Sequence, residues 1–313
     1  MRTLVIGATG FVGRALVRRL REVGHEVVGL ARNSAAEEKL AVAGIRHLFG
    51  DVLKPESFIP ALGSFDSIVY MPRIDIPSEY LSVKTLLDAL EGSGKRFIFT
   101  SGTGVLVEKT DGDWHEASYA EDDPFTRSPL AGARVDTENL VRAAAARGIH
   151  AMVIRPPLIW GYGFQRALAA LHGSARSGAV CYVGRGLNVM SSIHVDDLAE
   201  IYRLALEKGV AGALYHAVSG EQSWRALAAE VARLRGLPVR SVSLAEAEEL
   251  FGKVIAHIVF AVTSRTRCPR TRQELGWSPS PDRLDIFAEL AHPAFMANTE
   301  RNTDLDAYFA SHR

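Results

Sequence analysis

The chain opens on a short apolar run, Thr3-Leu4-Val5-Ile6, too short for a helix and closed by a glycine, which is the pattern of a buried strand. A stretch with Leu16, Val17 and Leu20 on one helical face follows, and then a second strand pattern at His25-Glu26-Val27-Val28-Gly29-Leu30. The alternation continues with a strand at Ser67 to Tyr70, a helix that includes Lys84 to Leu90, and a strand within Arg96-Phe97-Ile98-Phe99-Thr100. An amphipathic helix from Thr137 to Arg147, stopped by Gly148, leads to an apolar strand ending in Val153-Ile154-Arg155-Pro156. Strands and helices taking turns in this way predict an α/β fold, a Rossmann-type doubly wound parallel sheet with crossover helices.

After Pro156 the pattern changes. Gly161-Tyr162-Gly163 breaks the chain, an alanine-rich helix runs from Arg166 to Leu171, and His194 to Leu206 returns to the sheet domain. Further on come a strand at Ala213 to Val218, a helix at Trp224 to Leu234 and a strand at Pro238 to Val242. The expected division is a sheet domain over 1–160, completed by about 191–210, with 161–190 and 211–313 forming a smaller, discontinuous lobe. The polar segment Glu108 to Arg127, with Trp114 and His115, reads as a surface loop near the active site, its histidine solvated.

The first strand runs into Gly7-Ala8-Thr9-Gly10-Phe11-Val12-Gly13 and then a helix. In that context Gly7 permits a tight turn, Gly10 lets backbone approach a pyrophosphate, and Gly13 lets helix pack on strand, with the phosphate at the helix amino end. At the end of the second strand, where a carboxylate would hold the ribose 2′-hydroxyl of NAD, the chain reads Leu30-Ala31-Arg32. An arginine there suits a 2′-phosphate, and Arg14 adds a second cation, so NADP is expected over NAD.

Composition narrows the remaining classes. The 313 residues are 47% apolar and 23% charged, ordinary for a globular enzyme, and Lys plus Arg balance Asp plus Glu at 36 each. With no net field, neither nucleic acid nor an anionic membrane is an expected partner. Cys181 and Cys268 form no disulfide framework and no metal-ligand spacing, so no metal is expected and the thiols read as reduced. The first residues already belong to a strand, and no apolar run is long enough to span a bilayer, which together point to a cytoplasmic protein acting on a small molecule.

The glycine spacing, with Gly50-Asp51-Val52, Arg96 to Gly102, Val153-Ile154-Arg155-Pro156, Ile193-His194-Val195-Asp196-Asp197-Leu198-Ala199 and Glu274-Leu275-Gly276-Trp277-Ser278-Pro279, resembles the extended or atypical short-chain dehydrogenase/reductase superfamily, the epimerase/dehydratase-like branch. The resemblance covers nearly the whole chain and implies that 1–160, completed by about 191–210, is the NADP-binding domain and that 161–190 with 211–313 form the substrate-binding lobe. It implies a cofactor site built from Gly7, Thr9, Gly10, Phe11, Val12, Gly13, Arg14 and Arg32, with Asp51 and Val52 at the adenine. Met71, Pro72, Thr100, Ser101, Arg134, Arg155 and Pro156 lie on the nicotinamide side. It also implies homodimers paired through the helices beside strands four and five.

The chemical half departs from the family. Where relatives carry Tyr-x-x-x-Lys this chain has Leu130-Ala131-Gly132-Ala133-Arg134, and the usual serine position falls on Gly102. Leu130 can do no proton chemistry; Arg134 can replace the lysine as a ribose donor or simply pair with Glu138 at i+4. Met190 and Pro157-Leu158 stand where nucleotide-sugar enzymes usually carry an arginine and an asparagine, which disfavours such a substrate, although Arg185 is left for an anion. Met71, Leu158, Trp160 and Met190 suggest apolar pocket walls. Three readings stay open. One is an atypical NADP(H)-dependent oxidoreductase or epimerase-like enzyme on a small, fairly apolar carbonyl or hydroxyl compound, its proton donor displaced to Thr103 or Tyr119, ahead of Tyr70 and Tyr162. The second is a non-catalytic NADP-binding sensor or regulator, and the third a non-redox isomerase or cyclase.

Overall fold

A computed structural model describes residues 1–128 and 131–297. Its strands are β1 (Arg2–Ile6), β2 (Glu26–Ala31), β3 (Arg46–Phe49), β4 (Ser67–Tyr70), β5 (Arg96–Thr100), β6 (Glu108–Lys109) and β7 (His150–Arg155), then β8 (Leu158–Trp160), β9 (Val180–Val183), β10 (Val189–His194), β11 (Leu214–His216), β12 (Gly220–Ser223), β13 (Val239–Val242) and β14 (Val262–Thr263). Eight helices matter here: α1 (Phe11–Glu22), α2 (Ser34–Val42), α3 (Ile76–Ala89), α4 (Arg134–Ala143), α5 (Arg166–Gly173), α6 (Val195–Lys208), α7 (Trp224–Arg235) and α8 (Leu244–Phe251).

Seven strands form one parallel sheet in the order β3-β2-β1-β4-β5-β7-β11. The chain leaves β1 toward β2 on one side and comes back to β4 on the other, so a crevice opens between the carboxyl ends of β1 and β4, where Ile6 pairs with Tyr70. Both faces are covered, which explains why the strands read as continuous apolar runs. On one face Leu16, Val17 and Leu20 of α1 meet Leu198, Ile201 and Tyr202 of α6. On the other, Val83, Leu86 and Leu87 of α3 and Val141 of α4 close over Ile68, Phe97 and Phe99.

The lobe has its own core, in which Trp224, Leu227 and Val231 of α7 pack with Val180 to Val183, Phe251 and Phe260. Its strands are β8, β10 and β12 in one small sheet, the pair β9 and β13, and the pair β6 and β14. Among the described residues no helix is long and apolar enough to cross a membrane.

Two boundaries differ from the sequence reading. The strand expected in the lobe at Ala213 to Val218 is β11, and it joins the edge of the main sheet, Leu214 opposite Val153 and His216 opposite Arg155. Its three residues are at most 1% exposed, burial that the edge of the main sheet and its flanking helices supply. Conversely Leu158–Trp160, placed in the first domain, pairs with β10 and so belongs to the lobe's sheet. The helix α2 was not anticipated, because only Leu40 of its nine residues is buried and its face carries little periodicity.

One ion pair ties α4 to the sheet. Arg155 Nε donates to Glu138 Oε1 at 2.8 Å, a second bond joins Nη2 to Oε2, and the side chains are 4% and 1% exposed. The guanidinium also lies over the Phe125 ring at 5.2 Å and 3.4 Å from His216 Nε2. Glu138→Ala leaves that arginine buried and uncompensated, and urea unfolding is expected to show a loss of about 3–5 kcal/mol; a loss below about 1 kcal/mol contradicts the structural role given to the pair.

Candidate functional site

The glycine loop fills the crevice at the end of β1. Gly7 has φ +100°, a left-handed conformation that glycine adopts without strain, and a Cβ there would press on Met71 at 3.0 Å. A Cβ on Gly13 would lie 2.1 Å from the Gly7 carbonyl oxygen, so only glycine allows α1 to sit this close to the loop. Gly10 N donates to Gly7 O at 3.0 Å, and Gly10 is the exposed cap residue of α1. No side chain caps that helix and its first turn holds no acid. The leading amides of Phe11 and Val12 are thus left for an anion at the positive end of a 12-residue helix. Thr9 is half-buried beside them.

The far end of the crevice is cationic and open. Arg14 and Arg32 are exposed, with no side-chain partner among the described residues. Arg32 follows β2 and stands next to Asn33, whose side chain accepts from Ala36 N and caps α2. Beyond β3, Asp51 Oδ1 accepts from Leu53 N at 3.0 Å, and Val52 is 9% exposed in the core of that face. Gly50 leaves room for Phe58, whose ring a Cβ would meet at 2.7 Å.

At the ends of β4 and β5, Met71 and Pro72 are half-buried. Thr100 Oγ1 is already bonded to Tyr202 OH at 2.6 Å, whereas Ser101 Oγ is buried without a partner among the described residues. A Cβ at Gly102 would meet nothing nearer than Pro156 O at 3.7 Å, so the missing serine is not excluded by crowding.

The candidate hydroxyls separate. Thr103 is 4% exposed and its Oγ1 lies 3.2 Å from Ser264 Oγ, a link from the sheet domain to the lobe. Tyr119 packs by Phe125 and Ala131 beside Val105, Leu106 and Val135, and its hydroxyl donates to Glu108 Oε1 at 2.6 Å. That bond, with burial behind it, pushes the phenol up to about 12, so it stays protonated at neutral pH. Tyr70 is fully buried between Phe97 and Phe99, its hydroxyl beside Ser82. Tyr162 has φ +56° and turns outward, bonding Asp196 and, at 3.3 Å, Arg18. Burial encloses Tyr70 and solvent faces Tyr162, and His115 accepts from Ala117 N within its loop.

Arg134 does not pair with Glu138 as the helical spacing suggested, because Arg155 occupies that carboxylate. Its Nε and Nη2 donate to Glu79 Oε1 and Oε2 at 2.8 and 2.9 Å. Glu79 is 1% exposed in the first turn of α3, and burial raises its pKa despite the arginine. The guanidinium of Arg155, expected on the nicotinamide side, is turned into the Glu138 pair; the adjoining backbone still bonds the site, with Thr103 N donating to Pro156 O at 3.0 Å. Leu130 lies outside the described residues. His216, buried against Arg155, is pushed down to about 4 by burial and then by that charge.

What presents Tyr119 is a seam of charge. Tyr119 N donates to Arg265 O and Arg267 N to Tyr119 O at 3.0 and 2.8 Å. Around them Arg267 pairs with Asp123 at 2.7 Å, Arg270 with Asp122, and Arg265 covers the Trp114 ring at 4.7 Å. Glu121 Oε1 accepts from both Thr271 N and Oγ1 at 3.1 Å. Sequence reasoning missed Glu79, Glu108 and this seam. The one available signal was that Glu116, Glu121, Asp122 and Asp123 have a basic counterpart in Arg265, Arg267 and Arg270.

The sequence pattern of the NAD dependent epimerase/dehydratase family matches residues 3–218. An uncharacterised protein of Schizosaccharomyces pombe is 31% identical over 307 residues, covering 95% of this chain and 100% of that one. The 2-alkyl-3-oxoalkanoate reductase of Stenotrophomonas maltophilia is 30% identical over 229 residues, 68% of this chain and 67% of that enzyme. A dTDP-glucose 4,6-dehydratase of Streptomyces venezuelae, solved with NAD bound, has the same fold at a TM-score of 0.72 and 22% identity, over 97% of this chain and 98% of that one. The fold, the glycine loop and these matches agree: the chain belongs to the NAD dependent epimerase/dehydratase family.

Proposed function

We propose that the protein is a cytoplasmic NADP(H)-dependent reductase of small, fairly apolar carbonyl compounds, of the atypical kind that lacks the tyrosine and lysine pair. The observation that carries the reading is the contact of Gly13 with the Gly7 carbonyl, a close approach that a nucleotide loop needs and a plain turn does not. The 2-alkyl-3-oxoalkanoate reductase relationship supports a carbonyl substrate. In this reading the amides of Phe11 and Val12 take the pyrophosphate, Asp51 and Val52 the adenine side, and Arg32 with Arg14 the 2′-phosphate. Ser101 offers its unmet hydroxyl at the nicotinamide end. The bound coenzyme supplies the hydride.

The chain's own part in the chemistry is to orient the carbonyl and give its oxygen a proton. In this reading Tyr119 and Thr103 are the candidate groups for that. Thr103 is nearly buried, and the Tyr119 proton points to Glu108, so a substrate oxygen has to take over the hydrogen bond that Glu108 now accepts. The tie to a carboxylate weakens Tyr119 as an acid, which predicts a slow enzyme. Helices α3 and α4 are the proposed dimer surface.

Calorimetry is expected to find NADPH bound more tightly than NADH, with the difference gone in Arg32→Ala; equal affinities in the parent would remove the 2′-phosphate assignment. Gly10→Asp sets a carboxylate against the phosphates and is expected to abolish NADPH fluorescence enhancement, so retained enhancement refutes the pyrophosphate site. On a panel of aldehydes, ketones and enones, Tyr119→Phe or Thr103→Val is expected to slow NADPH consumption by ~100-fold. Activity that survives both changes ends the displaced-donor reading, and a parent that binds NADPH but turns over nothing favours a sensor.

A further inference from the structure

Two arginine–glutamate pairs brace the face covered by α3 and α4, one joining β7 to α4 and the other joining α4 to α3, and they differ in one respect. Arg155 and Glu138 are enclosed together, at 4% and 1% exposure. Glu79 is buried just as deeply at 1%, but its partner Arg134 keeps 24% of its side chain open. Glu79 occupies Nε and Nη2 in a two-bonded fork, which fixes the plane of a guanidinium. The third nitrogen, Nη1, has no partner among the described residues.

Burying a carboxylate to hold an arginine brings little net stability, since apolar residues of similar volume serve as well. What such a pair does supply is a fixed direction for the remaining N–H groups. The location of the pair can be read from the elements. Glu79 lies in the first turn of α3, the helix that leaves the carboxyl end of β4, and Arg134 is the first residue of α4. Tyr70, the last residue of β4, feels both charges and is paired with Ile6, the residue before Gly7. The Arg134 and Glu79 pair thus stands at the same sheet edge as the glycine loop, one strand along.

We infer that Glu79 is a positioning residue: it aims the open edge of Arg134 at the ribose on the nicotinamide side of the dinucleotide, an inference that rests on the dinucleotide reading above. Ribose hydroxyls accept hydrogen bonds, and arginine donates at every accessible pH. The cation can anchor the sugar without moving a proton, which separates the anchoring duty from the acid duty that Tyr119 or Thr103 performs.

The test compares a whole coenzyme with its adenine half. Calorimetric titrations of the parent, Glu79→Gln and Arg134→Met use NADPH and adenosine 2′,5′-bisphosphate, or NADH and AMP if the parent prefers the unphosphorylated coenzyme. Both variants are expected to bind the coenzyme about tenfold more weakly, the scale of a charge-assisted hydrogen bond, and the adenine fragment unchanged. Coenzyme affinity unchanged in Glu79→Gln overturns the inference, as does equal weakening of coenzyme and fragment, the mark of a purely structural role. If Glu79→Gln does not fold, the double variant Glu79→Gln with Arg134→Met, which leaves no unpaired charge, carries the same expectation, and full coenzyme affinity in it contradicts the proposal. A parent that binds neither ligand overturns the dinucleotide reading, and the inference falls with it; a parent that binds both while Glu79→Gln changes neither overturns the inference alone.

Discussion

The close approach of α1 to the first loop sets most of the geometry. Because Gly13 carries no side chain, the helix comes within 2.1 Å, in Cβ terms, of the Gly7 carbonyl oxygen, and its uncapped amino end faces the crevice between β1 and β4. The position of α1 then fixes that of α6, whose Leu198, Ile201 and Tyr202 pack against Leu16, Val17 and Leu20. Through α6 it reaches the segment around Ser280 as well, because Asp197 holds Ser280 N and Arg283. A substituent at one position would therefore be felt in the nucleotide crevice, in one face of the sheet and in the segment after it.

In the proposed reading, proton chemistry is separated from that frame. The resemblance implies an acid and a cation four residues apart on one helix. Here the cation, Arg134, is held by Glu79 from another helix, and the candidate acid, Tyr119, comes from a loop bonded to Glu108 and clasped by Arg265, Arg267 and Arg270. In each case a carboxylate fixes the side chain, with opposite effects on its chemistry. For the arginine, which never loses its proton, the carboxylate only fixes orientation. For the phenol, it raises the pKa and so weakens the acid.

Much of the frame was legible in the sequence because it depends on local spacing. Strand, glycine loop and helix follow one another within the first 22 residues, and the residues that pack there are the ones whose periodicity marks them. The misreadings share a cause. A strand as short as Leu214–His216 carries no mark of which sheet it will join, since its partner β7 lies about 60 residues earlier. The i+4 rule offered Glu138 to Arg134, but two glutamates and two arginines were available, and packing matched Arg134 with Glu79, 55 residues away. The sequence offers Tyr119 as a candidate hydroxyl, yet its partner Glu108 sits in a two-residue strand created only by pairing with Val262–Thr263. Short-range chemistry is visible in order along the chain; partners chosen by the tertiary fold are not.

The central claim is that one crevice holds a nicotinamide dinucleotide while a displaced hydroxyl serves its reactive end. A crystal structure of the protein with NADPH tests this most directly. The expected result has the pyrophosphate on the amides of Phe11 and Val12, and the hydroxyl of Tyr119 or Thr103 within about 3 Å of the space above nicotinamide C4, where a carbonyl oxygen would lie. A coenzyme bound away from the glycine loop, or a nicotinamide face with neither hydroxyl in reach, would contradict it.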